Sequence, residues 1–193
     1  MRIGVLALQG DFIEHEQVFL SLGQDVFEIR KESDLNGKID GLVLPGGEST
    51  VMGKLLHELG LFDKLKTLIQ NGLPVFATCA GMILLADKLS GDDTKHFATM
   101  NITVKRNAYG RQLGSFRTVA PFGDIGSIPM TFIRAPYIET WGENVRVLAS
   151  VNGKTVGAIQ NNQIAIAFHP ELDSDYRIFD YFLDICKKHC DNK

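Results

Sequence analysis

A cysteine stands between two apolar runs in LPVFATCAGMILLADKL, residues 73–89. The run before it is short, bounded by Gly72 and Pro74, and reads as a strand. The run after it has helical spacing over 80–89, so Cys79 falls at a strand-to-helix junction, where a side chain points out of a sheet. Two roles compete for it. Free cysteine is among the most buried residue types, which makes Cys79 a candidate core thiol. It is equally a candidate nucleophile: Gly81 lets another segment approach closely, and a helix start at residue 80 offers unpaired N–H groups and a positive dipole end, which favour thiolate over thiol. Ala77, Cys79 and Gly81 fit the small-x-nucleophile-x-glycine pattern of a nucleophile elbow.

A nucleophile needs a proton acceptor and a group to orient it. FHPEL, residues 168–172, carries both. Pro170 disfavours helical backbone at His169, and residues two apart in an extended segment face one way, so His169 and Glu171 are expected on the same side. Glu171 would fix the ring tautomer and aim the other nitrogen at the sulfur, as in a Cys-His-acid triad. The competing reading is a turn with a surface ion pair. LPGGEST, residues 44–50, is the third piece. Its two glycines can expose backbone amides, and those near Gly46, Gly47 and Ala80 would make an oxyanion hole. A plain turn or a phosphate cradle are the alternatives. GGESTVMGK has the wrong spacing for a Walker phosphate loop and lacks its Lys-Ser/Thr ending, and Glu48 opposes phosphate.

The elements that must position these residues follow from hydrophobic period. Apolar runs at 3–8, 25–29, 41–45 and 73–78 alternate with helix-length segments at 11–22, 51–71 and 80–89, which implies βαβ units and a parallel sheet covered on both faces. Strand-like runs then follow one another at 114–120, 130–136, 145–151, 155–160 and 163–169, suggesting hairpins added to that sheet, with NGKT and QNNQ as tight turns. A helix over 174–190 closes the chain. The expected fold is mixed α/β: a mainly parallel central sheet flanked by helices, with antiparallel hairpin strands in the second half. No repeat or linker divides residues 1–193, so one domain is expected.

Composition narrows the function classes. The 193 residues carry 20 basic and 23 acidic side chains, a net charge of −3, which gives no global attraction to nucleic acid or anionic membrane. No apolar run approaches a membrane span and no signal segment is present, so a cytoplasmic location is expected. Three cysteines, Cys79, Cys186 and Cys190, are an odd count that argues against a disulfide framework. Cys186, His189 and Cys190 have helical spacing but no evident fourth metal ligand, and read as a solvated helix end. Phe12, Phe19, Leu20 and Leu22 read as one core-facing stripe, and His15 as helix surface or part of a partner interface. RQLGSFR reads as a strand and turn, not a nucleic-acid surface.

Six segments, LALQGDFIEHE (6–16), LPGGEST, TCAGM (78–82), KRNAYGRQ (105–112), FIRAP (132–136) and FHPEL, together resemble the glutaminase subunits of pyridoxal 5′-phosphate synthase, a family of class I glutamine amidotransferases. The resemblance runs from the first strand to about residue 172. The cysteine elbow with H-P-E marks the wider class; LQG, RNxxGRQ and FIRAP single out this family. Ala77 departs from the glycine common there, which touches only fine turn geometry.

The resemblance implies Cys79 as nucleophile, His169 as acid/base and Glu171 as its orienter, with Gly47, Glu48, Ser49, Arg106, Ile133 and Arg134 lining a glutamine site. Free glutamine carries an ammonium and a carboxylate, so Glu48 is expected to answer the first, and Arg106 or Arg134 the second; a surface or intramolecular ion pair is the other reading of each arginine. No metal or bound cofactor is required. The implied partner is the synthase subunit, within a large hollow hetero-oligomer carrying glutaminases outside, and activity is expected to stay low until that partner docks and orders the oxyanion peptide. Gln9 and Gly10 are the candidates for relaying the contact. Three rivals stand beside this reading: the glutaminase of imidazole glycerol phosphate synthesis, a cysteine peptidase or thiol chaperone of similar topology, and a catalytically silent regulatory module.

Overall fold

Short runs that are apolar on both faces can be buried only in the middle of a layered α/β structure. The computed structural model, which describes residues 1–106 and 114–191, bears this out. The first half reads β1 (Arg2–Leu6), α1 (Phe12–Ser21), β2 (Asp25–Ile29), β3 (Gly41–Leu44), α2 (Ser49–Glu58), α3 (Phe62–Gln70), β4 (Val75–Thr78), α4 (Ala80–Leu85), β5 (Ala86–Leu89) and β6 (Met100–Lys105). The second half adds β7 (Ser115–Pro121), β8 (Ser127–Ile133), β9 (Tyr137–Trp141), β10 (Arg146–Val151), β11 (Lys154–Gln160), β12 (Gln163–Ile166) and α5 (Arg177–Asp191). Among the described residues, ten strands form one sheet in the order β2-β1-β3-β4-β12-β11-β9-β6-β5, with β10 paired to β11. The block β2-β1-β3-β4-β12 is parallel. Strands β10 to β12 join it through antiparallel hairpins, as expected. Asn152 and Gly153 both have positive φ (52° and 73°), the backbone a tight two-residue hairpin turn needs.

Every residue of β3, β4 and β12 is buried. Registers β3–β4 pair Val43 with Phe76 and Leu44 with Ala77, so these pairs face opposite sides of the sheet. On the Phe76 side, α1 and α5 supply Phe19, Phe179 and Phe182, with ring centroids 5.3–6.0 Å apart in the Phe19–Phe76–Phe179–Phe182 cluster. On the Leu44 side lies α4, discussed below. No helix among the described residues is long and apolar enough to cross a membrane.

Several sequence expectations are corrected. The helical segment 51–71 is two helices, because Gly60 takes φ +68° after the last turn of α2 and ends it. The helix expected over 80–89 stops at Leu85; Ala86 turns extended, and Ala86–Leu89 pairs with β6 in parallel. Strands β6 and β9 were not expected, although β6 alternates buried and outward positions. β7 and β8 do not join the main sheet but pair only with each other, and β7 buries none of its residues fully, which leaves it no second face to offer a sheet. That ribbon still matters to the site, since Thr131 O on β8 accepts the His169 N–H at 2.8 Å.

On α1 the buried stripe is His15, Val18 and Phe19, with Phe12 and Leu22 partly buried; Leu20 is 56% exposed and falls outside it. His15, expected on the surface, is fully buried. The end of α5 is likewise not simply solvated: Cys186 is buried, within reach of Gly41, and the Cys190 thiol lies 3.3 Å from Asp40 Oδ1. Cys79, Cys186 and Cys190 are all free thiols.

Candidate active site

β4 ends at Thr78, and Cys79 turns the chain into α4 with φ +49° and ψ −101°, a conformation rare for any residue with a side chain. Its N–H donates to Ile166 O at 2.8 Å, extending the β4–β12 pairing to the turn itself. The turn can be this sharp because Gly81 presses directly onto β3: a Cβ there would come 2.0 Å from Leu44 O. This is the close approach the sequence anticipated.

His169 follows β12, the strand beside β4, and therefore lies next to Cys79. Pro170 opens a 3-10 turn, Pro170–Leu172, in place of the extended segment expected. The turn achieves the same end by curling the carboxylate back: His169 Nδ1 and Glu171 Oε1 are 2.7 Å apart, both side chains buried. The Cys79 thiol is close enough to the His169 ring to favour its charged form. A thiol, an imidazole and a carboxylate thus stand near one another.

Nothing in the sequence marks Asp11, yet its Oδ2 lies 3.3 Å from His169 Nδ1. Asp11 caps α1, and its N–H donates to Gly46 O at 3.2 Å. Burial opposes charge on the His169 ring, but the Asp11 and Glu171 carboxylates and the Cys79 sulfur, as acceptors facing the ring, outweigh it and the pKa is pushed up to about 12. The His169 hydrogen bond in turn holds the Asp11 carboxyl below its ordinary value, against the opposing effect of burial. Because the folded pKa of His169 exceeds the ordinary 6.5, its proton stabilises the fold fully below about pH 6.5, and that contribution fades as pH rises toward the folded value. Asp11→Asn is expected to lower the pH at which the His169 ring loses its proton. Ring-proton NMR titration reads this directly, and an unmoved midpoint would contradict it. Asp11, His169 and Glu171 also offer ligand-type atoms within 4.8 Å of one another, and His169 Nδ1 already pairs with Glu171 Oε1.

The file opens onto a cavity of ≈ 570 Å³. Gly47, Glu48, Ser49, Ala80, Arg106, Ile133 and Arg134, all singled out in the sequence, line it together with Cys79 and His169. Gly46 stands just behind the wall, close enough to the His169 ring that an added Cβ would meet Cε1 at 2.5 Å. Gln9, Gly10 and Asp11 also line it. The Gln9–Asp11 loop clasps the Gly46–Glu48 loop: Gln9 Oε1 accepts the Glu48 N–H at 2.7 Å, and a Cβ on Gly10 would come 1.9 Å from Gly46 O. Arg106 forms an ion pair with Asp92, in the loop after β5. Arg134 has φ +43°, its N–H bonded to Gly114 O at 2.6 Å, and no carboxylate pairs with it among the described residues. The rest of the RNxxGRQ motif, 107–112, lies outside the described residues.

Known proteins fit this geometry. Residues 5–188 match the SNO glutamine amidotransferase family. A protein named pyridoxal 5′-phosphate synthase subunit PdxT from Desulfitobacterium hafniense is 58% identical over 184 residues, 95% of this chain and 92% of that one. Its namesake in Methanocorpusculum labreanum is also 58% identical, over 96% of this chain and 97% of its own. A crystal structure described as a glutamine amidotransferase superposes with a TM-score of 0.91 at 41% identity, covering 96% of this chain and 98% of that one. Similarity of this extent, on a chain whose cysteine elbow already faces an imidazole, places it: the chain belongs to the SNO glutamine amidotransferase family.

Proposed function

We propose that this chain is a glutaminase that hydrolyses L-glutamine to glutamate and ammonia and supplies the ammonia to the synthase subunit of pyridoxal 5′-phosphate synthase. The observation that carries the reading is the file of Cys79, His169 and its hydrogen-bonded partner Glu171, opening onto a cavity that Glu48, Arg106 and Arg134 also line. The relatives' name supports the partner. The chain acts as a single glutamine amidotransferase domain, and a cytoplasmic setting suits its chemistry.

The Cys79 thiolate attacks the side-chain carbonyl of glutamine, and backbone amides near Gly46, Gly47 and Ala80 receive the oxyanion. His169, charged at neutral pH, gives its proton to the departing amine, and ammonia leaves a γ-glutamyl thioester. The neutral ring then takes a proton from water, whose attack releases glutamate and restores the imidazolium. Glu171 holds the ring throughout. Ammonia is mostly protonated in water near neutral pH, and so loses its nucleophilicity, which makes direct delivery to a second active site chemically useful. The test is glutamate release from glutamine with and without the synthase subunit. Release that the partner stimulates supports the reading, equal rates remove the gating, and no release with the partner present removes the function.

Glu48 receives the substrate ammonium, and Arg134 is the principal seat of the carboxylate, since Asp92 already engages Arg106. Arg134→Ala is expected to raise KM for glutamine roughly 10- to 100-fold, as loss of a charge-assisted pair implies, with kcat changed far less. Arg106→Ala should raise KM by a smaller factor. Steady-state kinetics of both variants decide between them, and an unchanged KM removes that arginine from the site.

A further inference from the structure

We propose that His15 is a positioning residue of this active site, presenting the N–H of its Nε2 to the Glu171 carboxylate and thereby fixing the acid that orients His169. The inference rests on the triad reading above and names a residue that reading does not use. His15 sits on the inner face of α1 with no solvent exposure. Its ring meets Phe76 edge-on, centroids 6.0 Å apart, and lies 6.1 Å from Phe179. In these apolar surroundings Nε2 is 3.1 Å from Thr78 Oγ1 and 3.3 Å from Glu171 Oε2. Thr78 immediately precedes the nucleophile, and Glu171 lies two residues beyond His169. One nitrogen therefore spans the two chain segments whose relative placement makes the triad.

The protonation state follows from burial and partners. Burial pushes the His15 pKa down, and the Glu171 carboxylate only partly offsets it, so the ring is neutral and carries one proton. Nδ1 is buried without a hydrogen-bond partner. A proton there would leave an N–H unpaired in the core and would turn the bare lone pair of Nε2 toward a carboxylate. Both are unfavourable. A proton on Nε2 instead faces Thr78 Oγ1 and Glu171 Oε2, and leaves only a weak acceptor unpaired. Glu171 Oε2 is itself buried with no hydrogen-bond partner, and Nε2 stands 3.3 Å away, so a proton on Nε2 is placed to offset the carboxylate's burial through its charge. Charged and titratable groups acting on the ring are Glu171 and His169 from the 169–172 turn, and Asp11 and Glu14 from α1 itself.

Two substitutions separate the donor from the volume. His15→Gln keeps an N–H near the Nε2 position, whereas His15→Met fills the space without a donor. In glutaminase assays with the synthase subunit present, His15→Met is expected to lower kcat roughly 10- to 100-fold, the range seen when a partner of a site ligand is lost, with KM within about twofold. His15→Gln should recover most of that loss. An unchanged kcat in the Met variant, or equal loss in both variants when both melt like wild type, overturns the proposal. Should the Met variant fail to fold, ¹⁵N–¹H spectra of the unaltered chain decide instead. His15 is expected to be neutral with its proton on Nε2 at neutral pH; a proton on Nδ1, or an imidazolium, overturns the role. Failure of the glutaminase reading is distinguishable, because wild type would then release no glutamate while the His15 tautomer would still be measurable.

Discussion

Replacing Cys79 with alanine is expected to lower glutamate release about 10⁴-fold or more while leaving the fold and glutamine binding close to wild type. The thiol is 9% exposed, sits at the mouth of a cavity, and its loss removes few packing contacts. What disappears is the only group in the file able to form the thioester. Groups of a triad act as a unit, so losing the nucleophile costs nearly as much as losing all three members. The residual rate would come from the oxyanion donors and from binding alone. Denaturing mass spectrometry gives an independent readout: wild type quenched during turnover should show the γ-glutamyl adduct on Cys79, and the variant none. Activity within tenfold of wild type would remove Cys79 as nucleophile, and with it the mechanism.

Gly81→Ala is expected to be among the most damaging conservative changes outside the reacting groups. A methyl at this position would stand 2.0 Å from Leu44 O and 2.9 Å from both its carbonyl carbon and its Cβ. Two of these are backbone atoms of a fully buried central strand, so the clash cannot be relieved by a side-chain rotation. Either α4 lifts off β3 or β3 bends. Strain of this kind belongs to the exceptional class of substitutions, costing on the order of 4 kcal/mol. Chemical denaturation should show the midpoint falling, and kcat should fall with it, because α4 carries the Ala80 amide and starts directly after Cys79. Gly114→Ala, whose Cβ meets no described atom within 4 Å, is the control and should change stability little. Equal midpoints for the two variants would mean that the β3–α4 contact is not what holds the elbow.

The sequence carried the elements on either side of the elbow plainly. DVFEI forms β2 over the residues expected, and the short apolar runs before Gly46 and Cys79 form β3 and β4. β3 and β4 are buried on both faces, as strands inside a covered parallel sheet are. Less was legible where period is ambiguous. AGMILLADKL contains a six-residue helix and a four-residue strand, and continuous apolar character does not separate them. The α1 stripe held its own correction: Phe12, His15, Phe19 and Leu22 recur at helical spacing, so His15 lies on the inward face by period. A titratable ring is ordinarily placed outside, and that expectation is overturned by its partners, Thr78 and Glu171. For Asp11 no pattern existed to read; its role comes from Gly46, which lets the carboxylate approach the ring.

What the sequence by itself determined is the set of candidate reacting groups and their local frames. A glycine two residues after a cysteine, and a proline directly after a histidine, constrain backbone angles through sterics that act within a few residues. Which groups surround those frames was decided only by the tertiary structure. Strand order puts β12 beside β4, and so places His169 against Cys79 across 90 residues of chain, with Asp11 and His15 reaching them from α1. Electrostatics at this site depends on distances between such remote segments and on the exclusion of water from between them. Neither quantity exists until the sheet has closed.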